Sequence, residues 1–237
     1  MKGESCYNHH RTIMKIAGGD MKKKYLFFDL DGTLTDSMPG ITNAVQYALK
    51  RYGIEVEDTS VLKPFVGPPL QDSFREYYQF SEKDSLDAIP VFREYYTTKG
   101  WLENEPYAGV MEMLQELIAS GKKLYVATSK PEWMAKQVLE HFDLDFYFEY
   151  IGGADDDENR VKKDDVIRYV METCGLENKE EIVMIGDRSH DIVGAHKMGL
   201  EAVGVLYGYG DRAELEGANA EWITETTSSL CELLKSL

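Results

Sequence analysis

Cysteine is scarce in this chain of 237 residues. Its three cysteines, Cys6, Cys174 and Cys231, lie far apart and fit neither a metal-ligand spacing nor CxxC. That argues against a disulfide framework or a cysteine metal site, and it points to reduced thiols in a cytoplasmic protein. Long apolar runs are missing as well. The longest are as short as Tyr25–Phe28 and Ile182–Ile185, against the roughly 18 residues of a membrane-spanning helix, so no membrane partner is expected. Positive charge is outnumbered: 26 Lys and Arg face 42 Asp and Glu, for a net charge of −16. A surface of that sign repels a phosphate backbone and argues against a nucleic-acid partner. A small phosphorylated metabolite stays open, because a local cation or metal outweighs the global field inside a pocket.

Hydrophobic residues at 43% and charged residues at 29% are ordinary for a packed globular chain. Residues 1–20 differ from the rest. They carry His9 and His10, a Gly18–Gly19 pair and no apolar segment of signal-peptide length, and they read as a peripheral extension without a catalytic part. Tyr25–Phe28 is a β-prone run. It is followed by Ser37 and Pro39, which open a helical pattern that reaches Tyr52 and stops at Gly53. Two further helical patterns, Leu70–Gln79 and Asp84–Thr98, are separated from the first by the loop Gly67-Pro68-Pro69. From Pro106 the pattern changes. Helices at Gly109–Ser120, Pro131–Phe142, Asp164–Cys174 and Ile192–Met198 alternate with strands at Leu124–Ala127, Tyr147–Ile151, Ile182–Ile185 and Ala202–Val205. Cys174 and Cys231 fall in helical patterns and read as packing residues.

Alternation of this kind implies parallel βαβ units in an α/β, doubly wound parallel sheet. The expected division is a core of residues 21–36 and 105–237, with an inserted helical-bundle cap domain over 37–104. In such sheets ligands bind beyond the carboxyl ends of the strands. Asp29 and Asp31 follow the first strand. Thr128-Ser129-Lys130 follows Leu124–Ala127, Gly186-Asp187-Arg188-Ser189-His190-Asp191 follows Ile182–Ile185, and Lys162 and Lys163 precede the helix near Asp164.

Each of these has a plain explanation alone, since Asp caps helices well and a lone lysine is commonly a solvated charge. Their joint occurrence at one sheet edge suits phosphoryl transfer. Two carboxylates, Asp29 and Asp187, can hold Mg²⁺, which prefers oxygen ligands. A carboxylate can attack phosphorus, and a second carboxyl two residues on, Asp31, can protonate the departing alkoxide and later activate water. Thr128 and a lysine can hold the phosphoryl oxygens, and Gly32 lets the backbone approach them and donate N–H bonds.

Asp29-Leu30-Asp31-Gly32-Thr33-Leu34 resembles the first motif of the haloacid dehalogenase superfamily. Thr128-Ser129, the lysine before a helix and Gly186-Asp187-x-x-x-Asp191 resemble its other three, so the likeness covers residues 22–237. It implies Asp29 as nucleophile and Mg²⁺ ligand, and Asp31 as acid/base and a metal ligand through its carbonyl. It implies Asp187 and Asp191 at the metal, and Gly32, Thr128, Ser129 and Lys163 at the phosphate, with Lys162 the alternative lysine. An acid/base at position 31 favours phosphate chemistry over dehalogenation. The helical segment, with Val66-Gly67-Pro68-Pro69-Leu70, Thr128-Ser129-Lys130-Pro131 and Gly186-Asp187-Arg188, is similar to the phosphoglycolate phosphatase branch. Members of that branch are often called phosphoglycolate phosphatases or 5′-nucleotidases. Phe65, the Gly67–Leu70 loop and Arg75 are candidates to face the leaving group, and Arg188 to steady the carboxylates or reach substrate. The expected function is Mg²⁺-dependent phosphatase action on a small metabolite through an aspartyl phosphate. A phosphomutase of the same fold and a receiver-like phospho-signalling domain are the alternatives.

Overall fold

The computed structural model describes residues 23–155 and 159–237. The 1–20 extension, with Cys6, His9 and His10, lies outside the described residues.

Strand β1 (Tyr25–Phe28) leads through a tight loop to the two-residue β2 (Thr35–Asp36). Helices α1 (Met38–Arg51), α2 (Leu70–Tyr78) and α3 (Glu82–Tyr96) follow, with a 3₁₀ segment at Thr59–Phe65, before β3 (Glu105–Pro106). The chain then alternates: α4 (Val110–Ala119), β4 (Lys123–Pro131), α5 (Glu132–His141), β5 (Phe148–Ala154), α6 (Lys163–Cys174), β6 (Ile182–Gly186), α7 (Ser189–Lys197), β7 (Glu201–Val205), α8 (Arg212–Gly217), β8 (Trp222–Thr224) and α9 (Thr227–Ser236).

Six strands form one sheet in the order β5-β4-β1-β6-β7-β8, every pair parallel. Parallel strands need crossovers, and helices on both faces bury them from both sides. β1 shows this residue by residue. Leu26 and Phe28 join the cluster that α4, α5 and α9 cover with Leu114, Val138 and Leu230. Phe27, on the opposite face, joins the cluster covered by Val166, Ile192 and Leu215 of α6, α7 and α8. The doubly wound sheet with a helical insertion is therefore the observed architecture.

A third cluster lies within the insertion, where Val45, Leu49, Phe65, Phe74 and Phe92 pack together. It also includes Met134 of α5 and Tyr209 after β7, so the insertion rests on the sheet at those two places. β2 pairs antiparallel with β3, tying the outgoing and returning strands of the insertion side by side.

Three features depart from the sequence reading. β4 runs on to Pro131, so Thr128-Ser129-Lys130 extends the strand, with a register shift between Ala127 and Pro131 where its pairing with β5 loosens. The helix after β6 starts at Ser189, a turn before the expected Ile192, with the Asp191 carboxylate accepting from the Arg188 N–H at its first turn. β8 and α8 were not anticipated, whereas α9 carries the helical pattern expected around Cys231. A three-residue edge strand and a six-residue helix are too short to show a period, and Thr226, whose hydroxyl caps Ser229 N, is a helix-start signal for α9.

Candidate active site

The strand order reverses around β1. The chain passes from β1 to β4 and β5 on one side, then returns to β6 on the other. Loops leaving β1 and β6 therefore part in opposite directions and open a crevice at their carboxyl ends. Asp29 stands at its floor, its N–H still bonded to Ile185 O at 2.9 Å. The loop then closes on itself: Gly32 N donates to Thr35 O at 2.8 Å, and Leu34 N to Leu30 O at 2.9 Å. Gly32 has φ +84°, and a Cβ there would sit 2.3 Å from Asp187 Oδ2. Only glycine lets the two loops meet this closely. Its N–H is thus engaged within the loop, where the sequence had suggested a donor to phosphate.

Lys163 opens α6 and is buried, whereas Lys162 is exposed at the N-cap position. The Lys163 ammonium lies 2.8 Å from Asp29 Oδ1 and 2.8 Å from Asp191 Oδ1, and donates to Ala127 O at 3.1 Å. Gly194 on α7 makes room for it, since a Cβ there would lie 2.8 Å from Lys163 Cβ. Asp187 is fully buried and accepts from Tyr209 N at 2.8 Å and from Thr33 Oγ1 at 3.4 Å.

Three buried carboxylates thus lie close together, two of them on one ammonium. Burial raises the Asp29 carboxyl to about 6, against the pull of Lys163. Burial, with Asp191 and Asp29 adding repulsion, pushes Asp187 well above the usual carboxylate range. For Asp191 burial works the same way, but Lys163 and its other donors outweigh it and hold it low. Asp29 Oδ1 and Asp191 Oδ1 are paired by charge with Lys163, yet neither is aligned for a hydrogen bond. Asp29, His190 and Asp191 each offer an atom within 4.8 Å of the others, and His190 Nε2 is buried without a partner. Excess negative charge and open carboxylate oxygens are what a small divalent cation would fit.

Asp31 is held separately. Its two oxygens accept from Lys130 Nζ at 2.9 and 2.8 Å, and the same ammonium donates to the Tyr96 hydroxyl at 2.7 Å. Thr128 stands beside Asp29, its hydroxyl favouring the ionised carboxylate, and Ser129 is half-buried between Thr128 and Lys130. The structure thus brings Asp29, Asp31, Gly32, Thr128, Lys163, Asp187 and Asp191 to one crevice.

Other candidates lie elsewhere. Phe65 is 2% exposed, and its ring packs on Phe74 at 5.1 Å, a core contact. Arg75 is exposed on α2 beside Asp72, Glu76 and Gln79. The Arg188 guanidinium bonds Glu214 at 2.9 Å and Val66 O at 2.7 Å, so its side chain braces the insertion, and only its backbone N–H reaches Asp191. Tyr96, His190 and Tyr209 escaped the sequence reading. Tyr96 and Tyr209 meet the site through long-range contacts that carry no local pattern, whereas His190 stands beside Asp191 in sequence and faces Gly67 (φ +107°), where a Cβ would lie 2.9 Å from its ring.

The pattern of motif residues at strand ends is decided by comparison. The haloacid dehalogenase-like hydrolase family matches residues 26–205. This chain belongs to that family. Over 211 residues, covering 89% of this hydrolase and 95% of the relative, it is 40% identical to a 5′-nucleotidase of Pseudomonas aeruginosa. It is 35% identical to the tyrosine-protein kinase PtkA of Mycobacterium tuberculosis, over 90% of this chain and 72% of the relative. The crystal structure of a predicted phosphatase from Clostridium acetobutylicum superposes with a TM-score of 0.89 at 46% identity, covering 91% of this chain and all of that one.

The crevice of this hydrolase has a further glycine on which its shape depends. A Cβ on Gly208 would lie 2.2 Å from Gly32 O and 2.4 Å from Asp187 Cβ. Gly208→Ala forces those loops apart, at a cost of about 1–3 kcal/mol by the usual penalty for overpacking. For a chain of this size that is a melting temperature lower by roughly 5 °C in thermal denaturation. An unchanged melting temperature would show that the loops yield freely.

Proposed function

We propose that this hydrolase is a phosphatase that releases phosphate from a small phosphorylated metabolite, of the 5′-nucleotide or phosphoglycolate kind, by way of a phosphoaspartate on Asp29. The observation that carries the reading is the separation of two neighbouring carboxylates by two lysines. Asp29 is paired with Lys163 at 2.8 Å, and Asp31 with Lys130 at 2.8 Å. Carboxylates in different surroundings can take different roles.

In the first step an Asp29 oxygen bonds to phosphorus as the bond from phosphorus to the ester oxygen breaks. Asp31 gives its proton to the departing alkoxide and is left as a carboxylate. In the second step Asp31 takes a proton from water, the resulting oxygen attacks phosphorus, and Asp29 leaves with its carboxylate restored. Thr128 and Lys163, beside Asp29, hold the phosphoryl oxygens while their charge rearranges. The oxygen donors Asp29, Asp187 and Asp191, with the Asp31 carbonyl, would hold Mg²⁺. When bound, it screens the dianionic phosphate from the anionic nucleophile.

Residues 37–104 act as the cap and residues 21–36 and 105–237 as the core, with Ser129 and Gly32 lining the phosphate side. The net charge of −16 speaks against a polymeric nucleic-acid substrate. Among the described residues, no helix is long and apolar enough to cross a membrane.

The test is phosphate release from phosphoglycolate, nucleoside monophosphates, sugar phosphates and pyrophosphate, with Mg²⁺ and with chelator. Metal-dependent release is expected, and chelator is expected to cut it by about 10³-fold, the scale of lost transition-state charge stabilisation. An isomerised sugar phosphate without free phosphate, or a lasting phosphoprotein without turnover, would sink the reading.

A further inference from the structure

The Lys130 ammonium has three N–H bonds and three acceptors: both oxygens of Asp31 and the hydroxyl of Tyr96. It is buried, with 4% of its side chain exposed, against 13% for Asp31. None of its donors is left for a substrate oxygen, so it is not a second phosphate clamp.

Its partners come from two parts of the fold. Asp31 is on the loop after β1, whereas Tyr96 is the last residue of α3, where the insertion turns back toward β3. Tyr96 is itself 4% exposed and stacks on Phe92 at 5.2 Å, inside the insertion's own core. The Lys130 charge also lies 4.9 Å from the Tyr96 ring centroid, within cation–π range. A displacement of α3 relative to the sheet would therefore move the atom that fixes the ammonium, and with it the Asp31 carboxylate.

We infer that Lys130 and Tyr96 are positioning residues for Asp31, making its aim at the leaving-group oxygen depend on the seating of the helical insertion against the sheet. This rests on the phosphatase reading above, in which Asp31 delivers the proton that the ester oxygen takes as it leaves phosphorus. In the clamp seen here both Asp31 oxygens face Lys130. Lys130 would thus keep the Asp31 carboxyl in one place through both steps, and the insertion, through Tyr96, holds Lys130.

Leaving groups that differ in their need for a proton test this. An alkoxide requires it, whereas p-nitrophenolate departs without one. In Lys130→Met, release from phosphoglycolate or adenosine 5′-monophosphate, whichever the wild type hydrolyses, is expected to fall in kcat by about 10²-fold, the scale of general acid–base catalysis, with KM changed less than about threefold. The pre-steady-state burst of p-nitrophenolate from p-nitrophenyl phosphate should stay within about threefold of wild type, because that step needs no acid. Lys130→Arg should recover part of the loss. Tyr96→Phe, which keeps the ion pair, should show the same split at about tenfold, and these two variants carry the test if Lys130→Met fails to fold. Equal losses on burst and alkyl substrate, or no loss on either, would overturn the inference alone. A wild type that releases phosphate from neither substrate class would overturn the phosphatase reading, and this inference with it.

Discussion

Asp29→Asn is expected to abolish phosphate release from every substrate in the panel, with a loss of roughly 10⁴-fold or more, as when a covalent nucleophile is removed. The substitution keeps the shape of the side chain and removes its charge. Asp29 is 4% exposed and sits between Lys163, Thr128 and Asp191. Removing one of three crowded carboxylates relieves repulsion, so the variant should fold and melt no lower than wild type in chelator. The two readouts together are diagnostic. Lost activity with retained stability marks a chemical role, while parallel loss of both would mark Asp29 as structural. Mass spectrometry of quenched wild type should show a phosphate adduct that Asp29→Asn lacks.

Lys163→Met should act in the opposite sense on stability. The Lys163 side chain is 1% exposed, and its ammonium is 2.8 Å from both Asp29 and Asp191. Removing one partner of a buried ion pair strands the other and costs about 3–5 kcal/mol. Here that corresponds to a melting temperature lower by roughly 10 °C in the absence of divalent metal. The sign of the pH dependence follows from the stranded groups. Without Lys163, burial raises the Asp29 and Asp191 carboxyls above their unfolded values. A carboxyl raised in the folded state costs stability as pH climbs past its unfolded value, and the cost disappears when it is protonated. The deficit relative to wild type should therefore be largest near pH 8 and shrink toward pH 5. A constant deficit across that range would mean that lost packing, not stranded charge, sets the cost. Excess Mg²⁺ should recover part of it by binding the folded state.

Lys163 also illustrates what could be read from sequence and what could not. Its place before a helix was visible, but Lys162 shared that description. A rotation of one residue at the start of α6 separates them: Lys162 stays exposed while Lys163 enters the site, with Gly194 leaving space beside it. Arg188 shows the reverse. Next to Asp187 in sequence, it suggested a cation for the carboxylates, but Glu214 and Val66 O, 26 and 122 residues away, draw its side chain aside.

The sequence alone determined the alternating elements, the parallel sheet and the positions of Asp29, Asp31, Thr128, Asp187 and Asp191. The reason is that these rest on local order. A buried parallel strand is a short apolar run, and the residue after it must stand at the sheet's carboxyl edge. Tertiary structure alone decided which charges meet. Lys130 joins Asp31 across 99 residues and Tyr96 across 34. Tyr209 links Asp187 through its N–H to Asp36, 173 residues away, through its hydroxyl. Such contacts have no period and no fixed spacing. They arise only where packing of the insertion on the sheet closes distant loops onto one another, and there burial makes each unpaired charge costly enough to select its partner.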